Sequence, residues 1–233
     1  IVKLASNENP LGPTPQLQVH LGEMLKDCAR YPDGSAFQLK QKLSEQLGVA
    51  TDCLTVGNGS NDVLELLARV FLKPGHNTVV SQHAFVVYGL VTQSLGATLR
   101  EVPCVDYQQD LDATLAMIDD QTRIVFIANP NNPTGTWVRG DALERFLKAV
   151  PATTLVVLDE AYVEYVDDPA YPNGLGLLDQ FSNLVVTRTF SKAYGLAALR
   201  LGYAVSHPDV ADLMNRIRQP FNVNSMALAA GLI

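Results

Sequence analysis

Residues 155–162 read Leu155-Val156-Val157-Leu158-Asp159-Glu160-Ala161-Tyr162, an apolar run that ends in two carboxylates. A strand that is apolar at successive positions buries both of its faces, which is typical of a central strand in a parallel sheet. A carboxylate at the end of such a strand is costly to bury unless a partner compensates it. We therefore predict a buried strand whose carboxyl end carries candidate functional side chains.

Similar runs rich in Val, Ile and Leu alternate with helical patterns along most of the chain. The predicted strands are 54–56, 78–80, 98–102, 123–128, 155–158, 184–188 and 202–205. The predicted helices are 35–48, 63–71, 88–95, 111–118 and 141–149. A proline-rich arm is expected over 1–15, and a helical segment over 207–233 with a break at Gln219-Pro220. This alternation predicts an α/β fold with a mostly parallel central sheet flanked by helices.

Composition argues against several classes of protein. The 233 residues carry a formal net charge of −7, which disfavours broad binding to nucleic acid or to an anionic membrane. No apolar run reaches membrane-spanning length, and no secretory signal is recognisable. Because Cys28, Cys53 and Cys104 are odd in number and lack metal-type spacing, we expect reduced thiols, a cytoplasmic location and no bound metal.

Two segments with turn-forming residues follow predicted strands. Gly57-Asn58-Gly59-Ser60-Asn61 precedes a helix, and backbone N–H groups at a helix start favour a phosphate. The alternative is a tight turn with a serine or asparagine cap. In Asn129-Pro130-Asn131-Asn132-Pro133-Thr134-Gly135, the prolines restrict the path of the loop and the asparagines can bind a ligand oxygen. The alternative is a purely structural turn.

Two further segments place charged groups at strand ends. The carboxylate of Asp159 suits a protonated ring nitrogen, although a helix cap or an ion pair would also explain it. The segment 189–196 carries Lys192, and Arg200 follows eight residues later. A desolvated lysine is a nucleophile suited to Schiff-base chemistry, and an arginine can bind phosphate; the alternative is a solvated surface lysine. Because ligands bind beyond the carboxyl ends of parallel strands, the four segments together favour one functional site.

Taken together, the motifs of the chain resemble those of the histidinol-phosphate aminotransferase family, from Leu4 to about Ala230. The motifs that carry the resemblance are Asn7-Glu8-Asn9-Pro10-Leu11-Gly12-Pro13, Tyr31-Pro32-Asp33, Gly57–Asn61, Asn131–Gly135, Asp159–Tyr162, Arg188–Leu196 and Leu199–Gly202. The family belongs to the class-II aminotransferases of fold type I, which use pyridoxal 5'-phosphate (PLP). The resemblance is specific for the fold and the cofactor, and less specific for the substrate.

The resemblance implies roles around the PLP ring. Lys192 would form the Schiff base and shuttle the proton, and Asp159 would pair with the ring nitrogen. Asn132 and Tyr162 would contact the phenolic oxygen. Phe85 stands where the family often has a tyrosine that stacks on the ring, and a phenylalanine keeps the stacking face. Lys192, Asp159 and Tyr162 are therefore the implied catalytic residues.

The resemblance also implies a phosphate site, a substrate contact and a homodimer. The phosphate would be held by Ser60, Asn61, Thr189, Ser191 and Arg200, with Asn61 where an acidic residue is frequent in the family. Tyr31 would reach the phosphate bound by the neighbouring subunit, and Asn7 would lie near the substrate. The substrate-carboxylate arginine of relatives lies in a C-terminal region that we expect to be missing from this chain.

The implied domains are an arm with part of a small domain (1–30), a PLP-binding large domain (31–206), and a linker helix with the start of a truncated small domain (207–233). The implied reaction transfers an amino group between L-histidinol phosphate and 2-oxoglutarate. An aromatic aminotransferase and a PLP-dependent decarboxylase of a phosphorylated amino acid are the alternatives within PLP enzymes. A PLP-fold sensor of a transcription regulator lacks support because no DNA-binding domain is recognisable, and a nucleotide-binding protein because no Walker or dinucleotide motif occurs.

Overall fold

The computed structural model describes residues 5–233, so the first four residues of the predicted arm lie outside it. One sheet contains the strands β1 (Leu54–Asn58), β2 (Asn77–Ser81), β3 (Thr98–Val102), β4 (Thr122–Ala128), β5 (Leu155–Asp159), β6 (Leu184–Thr189) and β7 (Leu201–Ser206). The α-helices are α1 (Pro15–Met24), α2 (Phe37–Leu47), α3 (Ser60–Phe71), α4 (Val86–Ser94), α5 (Leu111–Ala116), α6 (Gly140–Ala149), α7 (Pro208–Ile217) and α8 (Ser225–Ala230).

The strands lie in the order β1-β7-β6-β5-β4-β2-β3. Strand β7 is antiparallel to both of its neighbours, whereas the other neighbouring strands pair in parallel. The predicted mostly parallel sheet is therefore confirmed. The predicted strands and helices all occur, with bounds that differ by a few residues. The predicted break near Gln219-Pro220 extends from the end of α7 to the start of α8.

Both faces of the sheet are covered, as the apolar run of β5 predicts. Val157 packs into a cluster that includes residues of α3, α4 and α7. Val156 and Leu158 face the other way and pack with residues of α6. All three side chains of β5 are fully buried. On this second face, α2 and α8 cover the end of the sheet formed by β1 and β7.

The N-terminal arm crosses the segment that follows β6. The side-chain amide of Asn9 donates a hydrogen bond to the carbonyl of Ala193 at 2.9 Å. Gly195 has a φ of +69°, and an added Cβ would lie 2.8 Å from the carbonyl carbon of Gly12, so a side chain would push the arm away. The arm therefore lies beside the carboxyl ends of the strands. The predicted division into domains stays a prediction.

Within residues 5–233, none of the helices is long and apolar enough to cross a membrane.

Gly202 in β7 provides a test of how closely the sheet approaches the loop after β1. An added Cβ would lie 2.3 Å from the backbone nitrogen of Ser60 and 2.6 Å from the carbonyl carbon of Gly59. Since both contacts are to backbone, we expect Gly202→Ala to lower the free energy of unfolding by about 1–3 kcal/mol, measured by urea denaturation.

The matched control is Gly22→Ala in α1, where an added Cβ meets nothing within 4 Å. Alanine has the higher helix propensity, so this change should raise the stability by up to about 1 kcal/mol. Equal unfolding midpoints for the two variants would contradict the close approach at Gly202.

Candidate active site

The four predicted site segments meet at one edge of the sheet. Strands β1, β4, β5 and β6 run parallel to one another, so their carboxyl ends lie on the same side. A cleft opens there, and it is lined by Ser60, Asn61, Phe85, Tyr88, Ala128, Pro130, Asn132, Asp159, Ala161, Tyr162, Thr189, Ser191, Lys192 and Arg200. The structure thus brings together the predicted cofactor residues other than Tyr31. Asn7 lines an adjoining pocket that shares Asn132 and Tyr162 with the cleft.

The amine of Lys192 is held between the arm and the cleft. Its Nζ donates hydrogen bonds to the backbone carbonyls of Ser6, at 3.0 Å, and Asn7, at 3.3 Å. It also lies 5.6 Å from the centroid of the Tyr162 ring. The side chain is half-buried and points into the space that Asp159 and Arg200 also line. This placement disfavours the alternative of a freely solvated surface lysine.

Asp159 is the last residue of β5, and its carboxylate is buried. Oδ2 accepts a hydrogen bond from the Tyr88 hydroxyl at 2.7 Å, and Oδ1 accepts one from the Thr187 hydroxyl at 3.1 Å. Burial raises the pKa of Asp159, while the two hydroxyl donors and the charge of Lys192 oppose that rise. A cationic group placed against this carboxylate would favour its ionised form. The site therefore suits a ligand that presents a protonated nitrogen.

Tyr88 and Thr187 are site residues that the sequence analysis missed. Tyr88 is fully buried, and its ring stacks on that of Phe126 with centroids 4.7 Å apart and planes 4° apart. Its edge contact with Phe85 has a centroid distance of 5.7 Å. A tyrosine on the buried side of a predicted helix was a usable signal, because a buried phenol normally finds a hydrogen-bond partner.

The start of α3 and the guanidinium of Arg200 form an anion-binding cradle. Gly59, at the N-cap of α3, provides no side-chain cap for the first N–H groups of the helix. Arg200 packs against Gly59, where an added Cβ would lie 2.2 Å from Nη2. Its Nη1 donates to the hydroxyl of Ser191 at 3.3 Å. Uncapped N–H groups, hydroxyls and a guanidinium are the donors that a phosphate requires.

The loop after β4 presents Asn132 to the cleft. Its neighbours are tied down: the amide of Asn131 donates to the carbonyl of His83 at 2.7 Å, and Asn129 accepts from the backbone N–H of Val138 at 2.7 Å. The peptide bonds Asn129–Pro130 and Asn132–Pro133 are cis. On the opposite side, the Tyr162 hydroxyl accepts a hydrogen bond from the side chain of Asn7 at 2.9 Å. Asn132 and Tyr162 thus face the same space.

Glu160 takes a different place from Asp159. It is 1% exposed, and its Oε2 accepts from Nε and Nη2 of Arg188 at 2.9 and 2.7 Å. Oε1 accepts from the backbone N–H of Gly174 at 3.2 Å. The alternative of an ion pair at the end of β5 therefore applies to Glu160. Its pair with Arg188 joins the ends of β5 and β6.

Tyr31 lies outside the cleft of its own chain. Its side chain is 83% exposed and stacks on Phe221 with centroids 4.7 Å apart. Among the described residues, those that line the cleft at the start of α3 do not include Tyr31. The implied role of Tyr31 in a neighbouring subunit stays a prediction.

The comparisons with known proteins agree with this geometry. The family described as "Aminotransferase class I and II" matches residues 1–233. The chain is 60% identical to histidinol-phosphate aminotransferase 2 of Pseudomonas fluorescens and 59% identical to that of Pseudomonas aeruginosa, in each case over 99% of this chain and 62% of the relative. The chain thus spans less than two thirds of the length of these curated relatives.

A solved structure shows the same likeness. The crystal structure of histidinol-phosphate aminotransferase from Sinorhizobium meliloti, in complex with pyridoxal-5'-phosphate, superposes with a TM-score of 0.93 at 34% identity. The match covers 97% of this chain and 62% of that one.

Proposed function

The chain belongs to the class I and II aminotransferases, and from this premise we propose that it is a PLP-dependent enzyme that transfers the amino group between L-histidinol phosphate and 2-oxoglutarate. The observation that carries the proposal is the position of Lys192. Its amine lies in a cleft that also holds a buried carboxylate, Asp159, and a guanidinium, Arg200. An amine, a partner for a ring nitrogen and a phosphate cradle are the three groups that PLP needs.

The residues of the cleft fit each part of PLP. Bound PLP supplies an aldehyde that captures an amine and a ring that accepts electrons from the substrate. The anion cradle suits the phosphate, with donors from Ser60, Asn61, Thr189, Ser191 and Arg200. Asp159 suits the ring nitrogen, and Asn132 and Tyr162 suit the phenolic oxygen. Phe85 offers the face on which the ring stacks.

Lys192 and Asp159 divide the proton chemistry. Lys192 would act as the base that removes a proton from the α-carbon of the substrate and as the acid that returns it. Asp159 would accept a hydrogen bond from a protonated ring nitrogen and favour that protonation state, in which the ring of bound PLP stabilises electron density released at the α-carbon. For the return reaction with 2-oxoglutarate as the amino acceptor, the same Lys192 amine would serve as the proton-transfer group. Asn7 contacts the substrate from the arm.

The substrate assignment rests on the named relatives. Identities of 60% and 59% to two histidinol-phosphate aminotransferases favour histidinol phosphate over an aromatic amino acid as the amino donor. They also favour transamination over decarboxylation of a phosphorylated amino acid. The cytoplasmic location predicted from the three cysteines stays a prediction.

A second copy of this chain is the proposed partner. Five large apolar side chains between residues 11 and 37 are exposed: Leu11, Val19, Leu25, Tyr31 and Phe37. We propose that these side chains belong to a surface that a second copy of the chain covers. A homodimer would cover this surface and bring Tyr31 of one subunit to the phosphate cradle of the other.

Chemical labelling tests the assignment of Lys192. The purified protein with PLP should absorb visible light, and borohydride should fix the cofactor to the peptide that contains Lys192. We expect Lys192→Ala to lose the label and to slow the first half-reaction at least about 100-fold, because the proton-transfer group is removed. The control is Lys148→Ala, which removes an exposed lysine paired with Glu144 on α6. A Lys192→Ala protein with full activity would refute the assignment.

A substrate panel tests the reaction. With the full chain and 2-oxoglutarate, we expect the highest kcat/KM for L-histidinol phosphate, followed by tyrosine and phenylalanine, measured as glutamate formed. Release of carbon dioxide from a phosphorylated amino acid without glutamate formation would instead support the decarboxylase alternative.

Subunit mixing tests the homodimer. Lys192→Ala and Tyr31→Phe damage different residues, and in a mixed dimer one of the two sites regains both native side chains. Random exchange makes half of the dimers mixed, so we expect recovery of about a quarter of the native activity. The control mixes Lys192→Ala with Arg200→Gln, two changes within one chain's cleft, and should recover nothing beyond the average of the parents. A monomeric mass by light scattering would contradict the proposal.

A further inference from the structure

The hydroxyl of Tyr88 has no role in the proposed reaction so far, although it touches the most deeply buried charged group of the cleft. We propose that Tyr88 is a positioning residue that donates its phenolic hydrogen bond to Oδ2 of Asp159, orients the carboxylate and stabilises its ionised form. This inference rests on the proposed function, since it explains how Asp159 meets the ring nitrogen of the cofactor.

The geometry leaves the Tyr88 hydroxyl little freedom. The ring is fully buried, stacked at 4.7 Å on Phe126 and in edge contact with Phe85. Its backbone carbonyl accepts a hydrogen bond from the hydroxyl of Thr92 within α4. The ring, held by two aromatic contacts, brings its hydroxyl oxygen 2.7 Å from Oδ2 of Asp159, which is the distance of a strong hydrogen bond to a carboxylate.

The direction of the hydrogen bond is settled by the charges nearby. Burial and the neighbouring carboxylate of Asp159 hold the pKa of Tyr88 well above its ordinary value. The phenol therefore stays protonated and donates throughout the working pH range. The bond is one of the two hydroxyl contacts that oppose the effect of burial on the pKa of Asp159, together with the bond from Thr187.

The groups that face Asp159 come from α4, from β6 and from the segments that follow β5 and β6. Tyr88 belongs to α4, Thr187 to β6, and Lys192 follows β6; Tyr162 lies after β5 and faces the Tyr88–Asp159 pair. Lys192 is the cation among them, and its charge also favours the ionised carboxylate. Tyr88 differs from Lys192 because its proton is not needed in the transfer. It can therefore stabilise Asp159 at every stage of the reaction.

Tyr88 has a second consequence for the ring. Because it contacts the edge of Phe85, it supports the aromatic face that would stack on the cofactor. The same side chain thus contacts the carboxylate that would pair with the ring nitrogen and the phenylalanine that would stack on the ring. Removal of the hydroxyl alone separates these two effects, since phenylalanine keeps the ring and its packing.

The test is the pH dependence of the first half-reaction in the Tyr88→Phe holoenzyme. In the native protein, the hydrogen bond from Tyr88 lowers the pKa of Asp159. Its removal raises that pKa, so the carboxylate becomes protonated at a higher pH. We expect the acid limb of the rate profile to move upward by about one pH unit, a tenfold change in proton affinity. The affinity for PLP, measured from visible absorbance, should change little because the donors of the phosphate cradle are intact.

Two further variants make the result specific. Tyr107→Phe removes the hydroxyl of a tyrosine that is 67% exposed and should leave the acid limb in place. In an Asp159→Asn background no carboxylate titrates, so Tyr88→Phe should add no further shift. If the Tyr88 hydroxyl had a purely structural role, Tyr88→Phe would lower the midpoint of thermal unfolding without shifting the acid limb of the rate profile.

The outcomes separate this inference from the proposed function. If the native protein takes up PLP and borohydride labels Lys192, but Tyr88→Phe keeps the native acid limb, Tyr88 has no role in holding Asp159. If Tyr88→Phe shifts the limb equally in the Asp159→Asn background, the effect does not pass through Asp159 and the inference is also overturned. If the native protein takes up no PLP, the proposed function itself is wrong.

Discussion

The burial of the Asp159 carboxylate is the constraint on which the rest of the site depends. A charged oxygen at the end of a fully apolar strand is unfavourable unless several donors compensate it. The chain provides them from outside β5: the hydroxyl of Tyr88 from α4 and that of Thr187 from β6. These donors must lie within hydrogen-bond distance of the carboxylate, which restricts the positions of Tyr88 on α4 and Thr187 on β6. The contacts that make the burial of Asp159 tolerable are therefore the same ones that would hold it in place for the proposed chemistry.

The sheet topology explains why residues distant in sequence share one cleft. Parallel strands carry their carboxyl ends to a single edge, and each crossover returns the chain so that the next strand ends there as well. The antiparallel β7 adds a different contribution. It begins directly after Arg200 at the same edge, and Gly202 lets its backbone approach Ser60 closely. A parallel strand at this place would have carried its amino end, and Arg200 with it, to the far edge.

Much of this arrangement could be predicted from the sequence, for a physical reason. Runs such as 155–158 are apolar on both faces, and that pattern reports a strand covered on two sides without any knowledge of its partners. Polar residues directly after such runs then indicate the site.

The direction of β7 could not be predicted, because composition does not encode whether a strand runs parallel or antiparallel to its neighbours. Tyr88 was missed because periodicity assigns a buried tyrosine to the core and is silent on the partner of its hydroxyl. Likewise, no local pattern distinguishes Glu160, paired with Arg188, from its neighbour Asp159.

The arm joins the amine to the rest of the cleft. The carbonyls of Ser6 and Asn7 accept from Lys192, while the side chain of Asn7 donates to Tyr162. One short segment therefore contacts both the amine and the hydroxyl that face the ligand space. A ligand that draws the Lys192 amine toward itself must break the hydrogen bonds from this amine to the carbonyls of Ser6 and Asn7. The arm then keeps two other hydrogen bonds, Asn7–Tyr162 and Asn9–Ala193. Because Asn9 is bonded to Ala193, the residue next to Lys192, a hydrogen bond links the arm directly to the lysine segment. The arm residue proposed to contact substrate, Asn7, is thus bonded to the same lysine that we propose as the proton-transfer group.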